Sequence, residues 1–306
     1  MRHRTGTLLL ASTLLVAVVA LSHPASAAEL LPPVVTTEWL AKHLTDPGLV
    51  IIDARTSLRD YMTGHIPGAQ PLNAENVRST ARGVPAEILP VEAMVVVLGR
   101  LGINQDSRVV VYGAENDADA TLIATALKAS GIMETAILDG GFKKWTLSNG
   151  AVSTERKAIK ETRPRLTAIA GVLAPLDEVK KAVEMKSAVL IDVRPTEQYE
   201  AGRIPGAVNR PWKEDLVPEG QPDAGTVKSK ADLEKEYAAL GVTKDKPAIV
   251  YCNSGFTASE VYYTLRHRLG YNRVKLYDGS WIEWSMMPDL PKETGPAAAK
   301  GSEKKD

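Results

Sequence analysis

One long sequence pattern occurs twice in this chain of 306 residues, with the two copies 138 or 139 positions apart. Four blocks recur in the same order: 49–55 with 188–194, 61–69 with 199–207, 109–113 with 248–252, and 138–141 with 277–280. Trp145 and Trp284 extend the last match. A repeat of this length is long enough for a domain, so the sequence predicts two copies of one domain in tandem.

Each copy alternates short apolar runs with segments of helical periodicity. In the second copy, 189–191 and 249–251 are predicted strands, and 230–240 is a predicted helix that ends at Gly241. Strands that alternate with helices indicate an α/β fold, here two tandem domains that each have a mostly parallel sheet flanked by helices. We expect domains at 32–148 and 173–288, a linker at 149–172 that wraps or bridges them, and a disordered tail at 289–306.

The first 27 residues have the features of an export signal. Arg2 and Arg4 give a positive start, 8–21 is an apolar core, and Ala25-Ser26-Ala27 offers a cleavage site. We expect cleavage rather than retention as an anchor, because the core is short for a spanning helix. The mature chain would hold 35 basic and 37 acidic side chains, which gives no support to nucleic-acid or membrane-surface binding. The expected location is the periplasm of a Gram-negative bacterium, or outside any other cell.

Cys252 is the only cysteine of the chain. It follows the predicted strand and precedes a helix predicted from Ser259 to Arg266, so it lies on a short loop that contains Gly255. Loop amides and the start of a helix create positive potential, which favours the nucleophilic thiolate. An exported protein with one cysteine forms no internal disulfide, and the loop favours a reactive thiol over an intermolecular bond. No residues have metal-ligand spacing, so we expect neither metal nor cofactor.

The duplication supplies an internal control for this interpretation. The first copy has Gly113 at the position of Cys252, and the acidic residues Glu115 and Asp117 follow it. No nucleophile is available there, so we expect the first copy to be inactive and to form one wall of the active-site cleft.

The motifs resemble those of the two-domain rhodaneses, the thiosulfate and 3-mercaptopyruvate sulfurtransferases. The resemblance covers about residues 32 to 288. It rests on Asp53-Ala54-Arg55 and Asp192-Val193-Arg194, on Gly64-His65-Ile66-Pro67-Gly68-Ala69 and Gly202-Arg203-Ile204-Pro205-Gly206-Ala207, on Cys252-Asn253-Ser254-Gly255-Phe256-Thr257-Ala258, and on Asp278-Gly279-Ser280-Trp281.

The resemblance implies that the second domain is catalytic. A small-molecule sulfane donor would leave its sulfur on Cys252 as a persulfide, and cyanide or a thiol would take the sulfur away. The partners it implies are therefore the donor and the acceptor, with a protein thiol as a further acceptor. The oligomeric state stays open.

The residues after Cys252 receive individual roles. We expect the amides from Asn253 to Ser259 to hold the negative charge of the persulfide, and Gly255 to let the backbone curl around the sulfur. The hydroxyls of Ser254 and Thr257 would donate hydrogen bonds to the substrate. Ser259 is expected to be the N-cap of the following helix.

The choice of donor depends on comparison with the family. Neutral residues such as Asn253 and Ser254 are similar to those of members that prefer 3-mercaptopyruvate. Phe256 stands where the family has an aliphatic residue, so the shape of the pocket is left open. Arg203 stands where the family has histidine; it would grip the donor's sulfonate or carboxylate, or else be a solvated loop arginine.

Residues that both copies share are expected to be structural. Asp192, Arg194, Asp278 and Trp284 belong to this set, because the inactive copy repeats each of them. His267 and Arg268 are expected at the surface.

Three other functions were weighed. A phosphatase on this fold would have a longer loop and an arginine where this chain has Ala258. The sequence therefore lacks the side chain that binds phosphate and does not favour a phosphatase. A non-catalytic binding module would fail to take up sulfur from any donor. A sulfur carrier would form the persulfide but deliver it to another exported protein.

Overall fold

The computed structural model describes residues 30–221 and 225–296. The predicted export signal at 1–27 lies outside the described residues. No helix in the described part of the chain is long and apolar enough to cross a membrane.

The first half contains seven strands and five helices among the described residues. In chain order they are β1 (Val34–Val35), α1 (Thr37–His43), β2 (Leu49–Asp53), α2 (Leu58–Thr63), β3 (Gln70–Pro71), β4 (Arg78–Ala81), β5 (Val84–Ile88), α3 (Val91–Arg100), β6 (Arg108–Tyr112), α4 (Ala118–Ala129), β7 (Thr135–Leu138) and α5 (Gly141–Leu147).

The second half repeats this order with fewer strands. Its elements are α6 (Leu176–Met185), β8 (Val189–Asp192), α7 (Thr196–Ala201), β9 (Val208–Asn209), α8 (Lys230–Ala239), β10 (Ala248–Tyr251), α9 (Phe256–Tyr263), β11 (Val274–Leu276) and α10 (Ser280–Met286). A π-helical turn, Thr264–Arg268, follows α9, and single 3-10 turns lie at Ala74–Val77 and Trp212–Asp215.

Each half has its own parallel sheet. The order is β1-β7-β6-β2-β3 in the first half and β11-β10-β8-β9 in the second. The central strands β6 and β10 are almost wholly apolar and buried, as expected for parallel strands covered by helices on both faces. The predicted α/β fold is confirmed.

The central strands end in register with the strands beside them. Tyr251 pairs with Asp192, and Tyr112 pairs with Asp53 at the equivalent place in the first half. The residue after each tyrosine therefore lies at the carboxyl edge of its sheet, the edge at which open α/β sheets bind ligands. That residue is Cys252 in the second sheet and Gly113 in the first.

Helices α4 and α9 bring the two halves together. The hydroxyl groups of Thr121 and Ser259 lie 2.9 Å apart in a buried hydrogen bond. Tyr263 of α9 belongs to the apolar core of the first half and donates its hydroxyl to the carbonyl of Pro33 at 2.7 Å. Ala129 of α4 belongs in turn to the core of the second half. Each half therefore contributes a side chain to the core of the other.

The predicted linker runs along the first half. Ser153 pairs with His65, the amide of Thr162 donates to the carbonyl of Gly99 at 2.9 Å, and that of Ile169 donates to the carbonyl of Ala129 at 2.8 Å. The segment therefore wraps the first domain before it enters the second.

Two sequence-based predictions are wrong in this region of the chain. Helix α9 begins at Phe256 with Gly255 as its N-cap, so Ser259 lies inside the helix and does not cap it. The predicted disordered tail is ordered from 289 to 296, where Glu293 pairs with Arg203 and the amide of Gly295 donates to the carbonyl of Glu200 at 2.8 Å. Residues 297–306 lie outside the described residues.

Candidate active site

Cys252 lies between the end of β10 and the start of α9. Its side chain is buried, and the residue is 3 % exposed. Gly255 takes a left-handed conformation with a φ of 77°, which glycine adopts without steric cost. This turn allows α9 to begin four residues after the cysteine and to direct its N-terminus back towards the loop.

The amino end of α9 has no side-chain cap. The first backbone N–H groups of a helix have no partner within it, and in the described part of the chain those of Phe256, Thr257 and Ala258 find no other acceptor. The hydroxyls of Ser254 and Thr257 also have no hydrogen-bond partner among the described residues. Unpaired donors beside a helix N-terminus make a site for an anion next to Cys252.

The equivalent loop of the first half is filled from within. The carboxylate of Asp117 accepts the amides of Ala114, Glu115 and Ala120 at 2.7, 3.2 and 3.3 Å. It also occupies the space in front of Gly113, since a Cβ at that glycine would lie 2.0 Å from Oδ1 of Asp117. In the first half, the carboxylate of Asp117 thus accepts backbone N–H groups of the kind that, beside Cys252, have no acceptor among the described residues.

Ser280 ties the cysteine loop to the next element. Its Oγ accepts the amide of Cys252 at 3.2 Å and that of Gly255 at 2.9 Å, and its hydroxyl donates to the carbonyl of Tyr277 at 2.7 Å. Ser280 has a φ of 54°, a left-handed conformation that is rare for a residue with a side chain. The strained backbone brings the hydroxyl to both ends of the loop.

Arg78 reaches the loop from the first half. Its Nη2 donates to the carbonyl of Ser254, and its guanidinium lies 5.9 Å from the ring centre of Phe256. The ring of Phe256 is half-buried against the core of the first half. The first half therefore forms a wall of the site, as the sequence predicts.

Asp278 lies behind the loop. Its Oδ2 accepts a hydrogen bond from the amide of Ile88 in the first half at 2.6 Å. Its Oδ1 packs against Gly255 so closely that a Cβ added at this glycine would lie only 2.6 Å from it. Burial raises the pKa of this carboxyl to about 7, partly offset by the Ile88 hydrogen bond. Asp278 thus supports the loop from beneath and joins it to the first half.

A cleft of about 740 Å³ opens between the halves beside Asp278. Its lining includes Ile88, Leu89, Tyr277 and Glu283, while Cys252 is not among the described lining residues. The cleft adjoins the loop without exposing the sulfur.

The remaining predicted loop residues have ordinary surroundings. Asn253 is exposed, and its Nδ2 donates to Oε1 of Gln198 at 2.9 Å. Ala258 is buried in the core of the second half. Together with Ser254, Gly255, Phe256 and Thr257, they form one continuous turn around the cysteine.

Arg203 contacts the C-terminal segment and Tyr199. Its Nη1 donates to the carbonyl of Gly295 at 2.7 Å, its Nε lies 3.3 Å from Glu293, and its guanidinium stacks on Tyr199. His65 holds the equivalent position in the first half, where its Nε2 lies 3.0 Å from the carbonyl of Glu155 in the linker. Each of the two side chains therefore binds the segment that follows its own half. The structure gives Arg203 a structural role, and donor binding by this residue stays a prediction.

The shared residues form matching structural pairs. Arg194 donates from Nη2 to Asp192 at 2.6 Å and to the carbonyl of Gly202 at 2.6 Å. Arg55 makes the same two bonds in the first half. The structural role predicted for Arg194 and Asp192 is confirmed.

The prediction that His267 and Arg268 lie at the surface is wrong. Burial lowers the pKa of His267 to about 3, and its ring packs against Tyr263. Arg268 pairs with Asp139 of the first half at 2.8 Å. Both residues belong to the contact between the halves.

Two residues of the site were missed from the sequence. Ser280 is one of two differences within a repeated block, since the first half has Leu138 at the position of Tyr277 and Gly141 at the position of Ser280. Arg78 had no such signal, because it lies 176 positions from Ser254 and outside every repeated block.

Comparison with known proteins agrees with this fold. The sequence model described as Rhodanese-like domain matches residues 36–148 and 175–287. The chain is 32 % identical to the sulfur carrier protein TtuD of Thermus thermophilus, over 88 % of this chain and 97 % of that protein. It is 33 % identical to the 3-mercaptopyruvate sulfurtransferase of Escherichia coli K12, over 85 % and 97 %. The crystal structure of SseA from Escherichia coli superposes with a TM-score of 0.70 at 32 % identity, and the match covers 82 % of this chain and 99 % of SseA.

The fold and the site define a rhodanese with two tandem domains. The chain belongs to the rhodanese family. The relatives that it matches over nearly their whole length include a 3-mercaptopyruvate sulfurtransferase and a sulfur carrier protein.

Proposed function

We propose that this protein transfers a sulfane sulfur through a persulfide on Cys252. The observation that carries the proposal is the open set of amide donors at the start of α9. The same loop in the first half is occupied by the carboxylate of Asp117, so an anion is a suitable occupant of this kind of loop. The terminal sulfur of a persulfide is such an anion, and it would extend from the sulfur of Cys252.

The reaction has two half-reactions. The thiolate of Cys252 attacks the outer sulfur of thiosulfate, the S–S bond of the donor breaks, and sulfite leaves with the bonding electron pair. With 3-mercaptopyruvate, the C–S bond breaks and the carbon takes the thiol proton, so pyruvate leaves. Cyanide or a thiolate then attacks the outer sulfur of the persulfide, which returns the thiolate of Cys252. Such a sequence gives ping-pong kinetics.

Among the two donors, we propose that 3-mercaptopyruvate loads Cys252 faster. No residue from Asn253 to Ala258 carries a charge, and the guanidinium that reaches the loop, Arg78, is engaged with the carbonyl of Ser254. A dianion such as thiosulfate has the greater need of a free cation nearby. The name of the Escherichia coli relative supports the same choice.

The test is the intact mass of the purified protein before and after each donor. A gain of one sulfur atom that cyanide removes is expected, with faster loading by 3-mercaptopyruvate. Cys252→Ser is the control and should gain no sulfur. We expect this variant to fold, because the first half folds with Gly113 at the equivalent position. A Cys252→Ser protein with full transfer activity would overturn the mechanism.

A sulfur carrier is the second candidate, and the name of the Thermus thermophilus relative favours it. A carrier would load the same persulfide but give its sulfur slowly to cyanide and quickly to a protein thiol. Transfer rates to cyanide and to a reduced thioredoxin separate the two functions. A protein that gains no sulfur from any donor would instead be a binding module.

We also propose that the chain is exported after removal of residues 1–27. The charged start, the apolar core and the Ala25-Ser26-Ala27 site support this proposal. The mass of the protein recovered from the periplasm or medium tests it. A recovered chain that still contains the first 27 residues would argue for a retained anchor.

A further inference from the structure

We propose that Arg78, a residue of the inactive half, is a positioning residue for sulfur transfer at Cys252. This inference rests on the proposed function. Arg78 acts on the peptide bond between Ser254 and Gly255, and so on the loop that surrounds the sulfur.

The guanidinium is fixed within its own half before it crosses to the other. Its Nε donates to the carbonyl of Ala86 at 2.7 Å, and its Nη1 lies 3.3 Å from Glu75. Ala86, in the hairpin of β4 and β5, has a left-handed backbone conformation with a φ of 62°. Its carbonyl is the group that accepts the hydrogen bond from Arg78. The side chain of Arg78 is 4 % exposed. A buried guanidinium held at two nitrogens has few orientations left for the third.

That third nitrogen, Nη2, donates to the carbonyl of Ser254. The N–H of the same peptide bond, on Gly255, donates to Oγ of Ser280 at 2.9 Å. One peptide unit is therefore held at both polar atoms, by an arginine from the first half and a serine from the second.

This peptide is the one in the loop that most needs to be held. Gly255 has no side chain and can change φ freely, so the peptide before it is free to rotate. A rotated peptide would exchange the directions of its C=O and N–H and bring a partially negative oxygen towards the anion site. Arg78 and Ser280 together oppose that rotation.

The charge of Arg78 adds to the effect of its geometry. A hydrogen bond from a buried guanidinium polarises the Ser254 carbonyl and is stronger than one from a neutral donor. Phe256, whose ring lies against Arg78, holds the other side of the turn to the core of the first half. The inactive half thus acts on sulfur transfer through the shape of the loop and without touching the sulfur.

The experiment compares Arg78→Met and Arg78→Lys with Arg82→Met by donor loading and by steady-state transfer to cyanide. Arg82 lies on the same hairpin, pairs with Glu87 at 2.7 Å and is mostly exposed, so it is a matched control. We expect Arg78→Met to lower kcat at least tenfold with a smaller change in the donor KM, since loss of a hydrogen bond to a charged group has about that effect. Arg78→Lys should recover part of the rate, because lysine keeps the charge but lacks the planar fork.

A double-mutant cycle with Ser280→Ala adds a readout that a general loss of stability would not produce. Because both residues hold one peptide, their effects on kcat should be less than additive. An Arg78→Met variant with the kcat of the wild-type protein would overturn the inference. If Arg78→Met does not fold, an Arg78→Lys variant with the kcat of the wild-type protein would overturn it. A wild-type protein that takes up no sulfur would overturn the proposed function instead, so the two failures are distinct.

Discussion

Ser280 and Gly141 occupy equivalent positions of the two halves and share one backbone conformation, with φ angles of 54° and 56°. The first half has glycine, which takes this conformation without strain, and the second half has serine. A left-handed residue with a side chain costs about 1–2 kcal/mol. In the second half, the strained residue provides a hydroxyl oxygen that accepts hydrogen bonds from the amides of both Cys252 and Gly255.

Replacement of Ser280 should separate stability from activity. We expect Ser280→Ala and Ser280→Gly both to slow sulfur loading, because each removes the acceptor of the loop amides. Ser280→Gly should be the more stable of the two by about 1 kcal/mol, since glycine relieves the left-handed strain. Urea unfolding and the loading rate measure the two effects. Full activity in Ser280→Ala would contradict the role given to the hydroxyl.

A cysteine placed in the first half should stay inactive while Asp117 fills its loop. In a Cys252→Ser background, Gly113→Cys is expected to take up no sulfur and to be less stable, because its Cβ would clash with the Asp117 carboxylate. Adding Asp117→Gly should open the loop and allow a slow gain of one sulfur, visible by intact mass. Loading of the variant that keeps Asp117 would show that the internal carboxylate does not block the loop.

Glu260 should make the protein less stable as the pH rises. The carboxyl is 5 % exposed, and neither oxygen has a partner among the described residues. Burial raises its pKa well above the usual value, so the folded state binds a proton that the unfolded state releases above about pH 4.3. Stability from this group is therefore lost as the pH rises through the folded-state pKa.

Glu260→Gln should remove this dependence. Compared with wild type, the variant is expected to lose less stability between pH 5 and pH 8 and to be the more stable protein at pH 8. Urea midpoints across this range measure the change, with the exposed Glu184→Gln as control. A variant with the wild-type pH dependence would mean that Glu260 is ionised in the folded protein.

Loss of Arg203 should release the C-terminal segment. Arg203→Gln removes the ion pair with Glu293, so we expect faster proteolysis after about residue 289. Arg203→His should protect the segment better, because His65 makes a comparable contact to the linker. Steady-state kinetics on both variants also tests the sequence-based prediction of donor binding, which requires a higher donor KM in Arg203→Gln.

The sequence predicted the fold because the duplication shows the same motifs twice, and the same comparison carries the prediction that Cys252 is the nucleophile. The difference between Gly113 and Cys252 shows which half contains a nucleophilic side chain, and shared pairs such as Asp192 and Arg194 are recognised as structural. The same comparison shows serine at 280 where the first half has Gly141. This difference does not by itself predict a role for Ser280, because the role depends on the left-handed backbone conformation that only the structure shows.

Other features depend on contacts between distant residues. Arg78 contacts the loop only because β4 and β5 pack against the second half. A contact between residues so far apart in the sequence cannot be predicted from hydrophobic periodicity. The start of α9 was misplaced because Phe256-Thr257-Ala258 is a weak helical pattern, while the decisive feature is the left-handed turn at Gly255. The sequence places His267 at the surface because a helical pattern alone does not show that its ring packs against Tyr263, which belongs to the core of the first half.

The exchange of Tyr263 and Ala129 between the two cores bears on how this chain can change over generations. A gene duplication usually leaves the idle copy free to accumulate substitutions. Here a substitution near Pro33 or Thr121 in the copy without the cysteine alters the packing of the helix that starts beside Cys252. A substitution in the half without the cysteine can therefore change the surroundings of Cys252, and we expect the two halves to vary together at this contact.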